Sequence, residues 1–137
     1  MFLEKKEYIK PTTYWLFSLL FILFIIILVG GLTRLTDSGL SITRWEVITG
    51  ILPPFTLDGW NKAFDLYKEI PQYNLINQDI TLKEFKIIYY WEYAHRLLGR
   101  IFGLSFLIPF LYFFFIKAFS KEFNFKLLIL FFLILFQ

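Results

Sequence analysis

From Thr12 to Thr33 no residue carries a charge, and the stretch WLFSLLFILFIIILVGGL (Trp15–Leu32) is apolar almost without interruption. At ~1.5 Å of rise per residue, such a run crosses a hydrocarbon layer of ~30 Å. It predicts a first transmembrane helix over about 14–32. A signal peptide is the competing reading, because Lys5, Lys6 and Lys10 precede the run. The run exceeds the ~7–15 apolar residues of such a peptide, and no small-x-small cleavage site follows it. An uncleaved span is therefore favoured, and the lysines assign its N-terminus to the cytoplasmic side.

A second helix begins at a local start signal. In Thr81-Leu82-Lys83-Glu84 the Thr81 hydroxyl can accept from the Glu84 amide, and Glu84 can reach back to the Thr81 amide. Ile80 and Phe85 flank this capping box at the two positions of a hydrophobic staple. Apolar residues continue from Leu82 to about Ile116, and Pro109 is expected to kink the helix without ending it. Residues 82–116 form ~35 residues and ~52 Å of helix, so one end must protrude from a bilayer. Lys117, Lys121 and Lys126 mark its cytoplasmic end. A third apolar run, Leu127–Gln137, is too short to span by itself and reads as the start of a third crossing. The sequence is accordingly expected to be the N-terminal part of a larger protein or a truncated gene product.

Between the spans, residues 33–81 form a long external loop. Asp58 followed by Trp60, Phe64, Tyr67 and Ile70 has helical spacing, with Asp58 as the expected N-cap. Pro53, Pro54 and Pro71 punctuate this segment. Trp45 and Trp60 are candidate interface anchors, and an ordinary surface loop is the equal alternative. The fold class is all-α: a polytopic membrane helical bundle. Its parts here are two full transmembrane helices, the start of a third, and a loop containing short helices.

Composition agrees. Of the 137 residues 58% are hydrophobic and 19 are Phe. A soluble domain of this size would leave too much of that surface exposed. The net charge of +3 sits beside the apolar runs rather than in one patch, so no nucleic-acid partner is expected. Without cysteine, the chain can form neither a disulfide nor a thiolate metal site.

The chemistry concentrates in YYWEYAHRLLGR (Tyr89–Arg100). Counted back from Ile116, Arg100 lies ~24 Å and His95 ~31 Å along the helix, near the outer edge of the hydrocarbon. Tyr89, Tyr90, Trp91 and Tyr93 suit that level. Glu92 shares a face with His95 and stands four residues before Arg96, so an intrahelical ion pair is available. Gly99 and Gly103 follow His95 on its own face, leaving a flank for a flat macrocycle or a closely packed helix. Gly30 and Gly31 allow similar approach to the first span. Arg34, Arg44, Arg96 and Arg100 suit carboxylates or headgroups at this level. From the residues alone, His95 reads equally as a cofactor ligand and as an interfacial histidine bonded to Glu92 or a carbonyl. Glu92 reads equally as a functional acid and as the partner of Arg96.

Three stretches shift this balance: VGGLTRLTDSGLSITRW (Val29–Trp45), ITGILPP (Ile48–Pro54) and NQDITLKEFKIIYYWEYAHRLLGRIFGL (Asn77–Leu104). With their spacing they resemble the N-terminal portion of the haem A synthase family, in the form shared by alphaproteobacteria and mitochondria. The resemblance implies two similar four-helix halves, each with a haem site near the outer face. It implies a membrane haem-dependent oxidoreductase that converts a porphyrin methyl group of haem O to a formyl group, giving haem A for terminal oxidases. On this reading His95 is an axial ligand of the haem iron and Glu92 the catalytic acid of an E-x-x-H motif. Arg34, Arg96 and Gly99 are cofactor-binding. Haem O is the substrate, and haem b is expected in the missing C-terminal half. A second histidine ligand is missing too, so this segment alone is expected to be inactive. Membrane lipid, the haem O-producing enzyme, an electron donor and further copies of the chain are the expected partners. The expected location is the bacterial inner membrane, as a multi-pass protein, with the mitochondrial inner membrane as the alternative. A non-catalytic b-type haem protein and an inactive truncated fragment remain as alternative functions.

Overall fold

The computed structural model describes residues 6–44 and 51–136, so Trp45 and the first three residues of ITGILPP, 48–50, lie outside the described residues. The regular elements are helical: α1 (Ile9–Leu35), α2 (Leu57–Lys68), α3 (Pro71–Leu75), α4 (Leu82–Phe115) and α5 (Lys121–Phe136). Two stretches, Lys6–Leu35 and Leu82–Phe115, are long and apolar enough to cross a membrane. Only 17% of the most apolar window of each is buried, unlike the core helix of a soluble protein. α1 runs beyond its expected apolar core at both ends, while α4 keeps its expected bounds to within one residue.

The ends of α1 and α4 have the same construction. Asp37 and Lys117 take positive φ, 49° and 53°. After α1 the Ser38 amide donates to the Thr33 carbonyl at 2.9 Å and that of Asp37 to Arg34 at 3.3 Å. After α4 the Ala118 amide donates to Phe113 at 3.0 Å and that of Lys117 to Phe114 at 3.1 Å. This pair of bonds is the Schellman closure, which satisfies the last carbonyls of a helix and reverses the chain. Pro109 lies inside α4 and does not end it.

The chain divides into two compact units, one from Ile26 to Leu98 and the other of the residues up to Ile25 together with those from Gly99 onward. In the latter, Trp15, Leu19, Phe106, Phe110, Phe113, Phe119 and Leu127 are buried together. The Trp15 indole N–H donates to the Ser105 carbonyl at 2.8 Å, so the one polar atom of that ring is satisfied inside the apolar cluster. Here α5 starts at Lys121, six residues before the expected run, because Ser120 caps it: its hydroxyl accepts from the Phe123 amide at 3.3 Å.

In the Ile26–Leu98 unit, aromatic side chains of α2 close over the first turns of α4. Phe85 stacks against Phe64 at 4.9 Å and lies 5.2 Å from Tyr67, while Trp60 meets Tyr89 edge-on at 5.0 Å. Trp60 is therefore a core residue, 5% exposed, rather than a membrane-interface anchor. The helix through Phe64 and Tyr67 is as expected, but its N-cap is Thr56, whose hydroxyl accepts from the Gly59 amide at 3.1 Å. Asp58 sits in the first turn instead and pairs with Lys62 at 2.8 Å. Burial pushes the Tyr67 phenol above its ordinary pKa, against the opposing effect of a bond from Asn77.

The capping box of α4 is formed. The Thr81 amide donates to Glu84 Oε2 at 2.7 Å, and the Glu84 amide to Thr81 Oγ1 at 3.3 Å. Ile80 packs on the cluster that contains Phe85, which completes the staple. Thr81→Ala should cost about 1 kcal/mol of helix-end stability and speed hydrogen exchange at the Glu84 amide. Phe85→Ala should cost about 3–5 kcal/mol, read by loss of protection throughout the Trp60–Tyr89 cluster.

Candidate functional site

The middle of α4 presents Glu92, His95 and Arg96 on one face, within little more than one turn. Glu92 is 4% exposed, and a buried carboxylate requires compensation at both oxygens. It has that compensation. Oε1 accepts from Arg96 Nε at 2.9 Å and Nη2 at 2.6 Å. Oε2 accepts from the Ser41 hydroxyl and the Ile42 amide, both at 2.8 Å. All four contacts are donated to the acid, so its acceptor capacity is filled.

The available ion pair of Glu92 with Arg96 is thus realised, with the acid far less exposed than the base. Arg96 is engaged further, because its Nη2 also donates to the Ile42 carbonyl at 3.2 Å. Among the described residues its Nη1 makes no hydrogen bond. Ser41 was not legible as part of this cluster: its partner is 51 positions away. The only hint was a run of short polar residues, Thr36-Asp37-Ser38, between two apolar segments.

His95 behaves differently. Among the described residues its imidazole makes no hydrogen bond or ion pair, so the reading in which Glu92 or a carbonyl holds it does not describe this arrangement. The half-buried ring lies instead against α1. A Cβ added to Gly30 would come 2.9 Å from His95 Nε2 and 3.3 Å from Cδ2. Gly30 leaves the width of the ring, while at Gly31 a Cβ would meet nothing within 4 Å. Of the two glycines noted in the sequence, one is needed for the histidine and the other is not.

The remaining candidates are not drawn into this cluster. Arg34 lies exposed in the last turn of α1, where its charge also suits the helix dipole. Arg44 is exposed. Gly99 belongs to the other unit, and a Cβ there would meet nothing within 4 Å, as expected for an open flank. Arg100, also in that unit, has a buried Nη1 without a partner, an arginine the sequence reading passed over in favour of Arg34 and Arg96.

The model of the COX15-CtaA family, described as cytochrome oxidase assembly protein, matches residues 13–137. The chain belongs to that family. Among curated relatives, the haem A synthase of Pelagibacter ubique is 55% identical over 113 residues, covering 82% of this chain and 34% of the relative. That of Parvibaculum lavamentivorans is 55% identical over 100 residues, or 73% of this chain and 29% of the relative. That of Bradyrhizobium diazoefficiens is 46% identical over 126 residues, or 92% of this chain and 35% of the relative. The chain therefore spans about a third of the length of these relatives. No solved structure matches.

The two glycines provide a direct check on the geometry. Gly30→Ala should displace the His95 ring and shift its imidazole NMR resonances. Gly31→Ala should leave them where they are.

Proposed function

We propose that the full-length protein carrying this segment is a haem A synthase, a membrane oxidoreductase that takes the porphyrin methyl group of haem O through the alcohol level to a formyl group. Membership of the family and the names of the relatives support this reading. The observation that carries it to particular residues is the imidazole of His95, which has no hydrogen-bond or ion-pair partner among the described residues, one turn after a carboxylate that is already fully engaged. Among the described residues there is no group of three or more His, Cys, Asp or Glu side chains able to hold a bare metal ion. A lone imidazole, its ring nitrogens unused among the described residues, would instead suit a haem iron, which asks few ligands of the protein.

When bound, the haem iron supplies the redox chemistry, and the protein supplies binding, orientation and charge. On this reading His95 of α4 would hold the haem iron. Gly30 keeps the neighbouring backbone out of the ring's way. Glu92 is the acidic group of the site, a fixed negative charge held by its four donors. Arg96, through its Nη1 donors, and the exposed Arg34 are the groups offered to propionate carboxylates. Gly99 leaves room beside the ligand. The rest of the longer protein would supply the second histidine and the haem b site.

The lysines before α1 support a cytoplasmic N-terminus, which puts His95 toward the outer face of the bacterial inner membrane. The haem O-producing enzyme and an electron donor are the partners this function requires. His95→Ala in the full-length protein should abolish haem in the N-terminal site while leaving any C-terminal haem in place, read by pyridine haemochrome analysis of the purified protein. Undiminished haem in that site would contradict the ligand assignment. Retained haem b with no haem A formed by the unaltered protein would favour a non-catalytic haem carrier.

A further inference from the structure

The bonds of Glu92 and Arg96 converge on one residue of the segment after α1. Glu92 Oε2 takes the Ile42 N–H at 2.8 Å, and Arg96 Nη2 gives to the Ile42 carbonyl at 3.2 Å. The ion pair therefore holds both backbone polar groups of Ile42, its N–H and its C=O, in the way a neighbouring strand would. Ser41 adds a side chain to this grip through its 2.8 Å bond to the same Glu92 oxygen, and the hydroxyl also reaches the Ile88 carbonyl at 3.3 Å.

The gripped segment is short and tied at its other end too. It leaves α1 through the closure at Asp37, whose carbonyl accepts from the Gln72 side chain of α3. The Ser41 amide then donates to the Ser38 carbonyl at 3.2 Å. Ser38 and Ser41 are 0% and 2% exposed, so this segment is packed in and not draped on the surface. A small polar residue buried beside a buried acid has few substitutes. Alanine deletes the donor, and of the larger residues threonine keeps the hydroxyl at the same position.

We propose that Ser41 is a positioning residue for Glu92, and that the Glu92–Arg96 pair latches residues 38–44 onto the turn of α4 that carries His95. The functional part of this inference rests on the haem A reading; the latch itself does not. Glu92 and Arg96 flank His95 along α4, so the latch fixes the helix turn from which the imidazole projects. The setting of Glu92 relative to that ring is then decided by a residue that touches neither substrate nor iron.

Two measurements test this. Hydrogen exchange at the Ile42 amide can be followed on this chain in lipid nanodiscs, without haem. Glu92→Gln keeps the shape but places amide N–H groups where only acceptors fit, and it should speed Ile42 exchange at least tenfold. Unchanged exchange would overturn the latch. In the full-length protein, Ser41→Ala should lower haem A formation about tenfold with N-terminal haem content retained, and Ser41→Thr should restore most of it. Normal turnover in Ser41→Ala would overturn the positioning role. So would a loss of turnover that follows haem loss one for one, which would make Ser41 a purely structural group. If the haem A reading fails, no variant or parent forms haem A, while the exchange result still stands or falls on its own.

Discussion

The buried carboxylate of Glu92 is the constraint around which the Ile26–Leu98 unit is organised. An acid this deep in a membrane-length helix is tolerable only if every lone pair has a donor. Arg96 comes from the same helix and supplies half of them at little entropic cost. The other half must come from elsewhere, and the chain meets that need by folding Ser41 and Ile42 back from the end of α1. The segment after α1 is thus shaped by an electrostatic demand in α4 rather than by its own propensity. The same demand removes Glu92 as a partner for His95, and this leaves the imidazole available.

Around this polar centre the structure uses apolar packing in two different ways. In the Ile26–Leu98 unit the aromatic cluster of Trp60, Phe64, Tyr67, Phe85 and Tyr89 gives α2 and the start of α4 a small core of their own. It satisfies its polar tips locally, as when Asn77 donates to the Tyr67 hydroxyl at 2.7 Å. In the other unit, Trp15 and the phenylalanines of α4 pack together, while much of the apolar surface, including Phe17, Phe21 and Phe115, stays exposed. Exposed aromatic and aliphatic surface of that kind suits a lipid environment, where it carries no penalty.

What could be read from the sequence was what is local in it. The capping box works over three residues, so Thr81 and Glu84 identified the start of α4 without tertiary information. Apolar length identified both long helices, and the ends of α1 were missed because caps carry no hydropathy signal. Thr56 and Asp58 are both good N-cap residues two positions apart. The choice fell to Thr56 through geometry that the sequence does not show. Trp60 was read as an anchor because an isolated tryptophan near a membrane usually is one, and only the fold of α2 onto α4 makes it core. The site divides the same way. His95, Glu92 and Arg96 stand out within a few residues of one another. Ser41 and the selective role of Gly30 depend on contacts across the chain, and a single sequence does not encode those visibly.

The central claim is that α4 offers one uncommitted imidazole as a haem ligand, and this chain contains a single histidine. That makes a direct test available. The chain should be prepared with 15N-histidine, reconstituted in nanodiscs with ferric haem, and studied by pulsed electron–nuclear double resonance. The account predicts a 15N hyperfine coupling from one axial nitrogen that disappears in unlabelled protein. Haem bound without that coupling, or no haem bound at all, would contradict it.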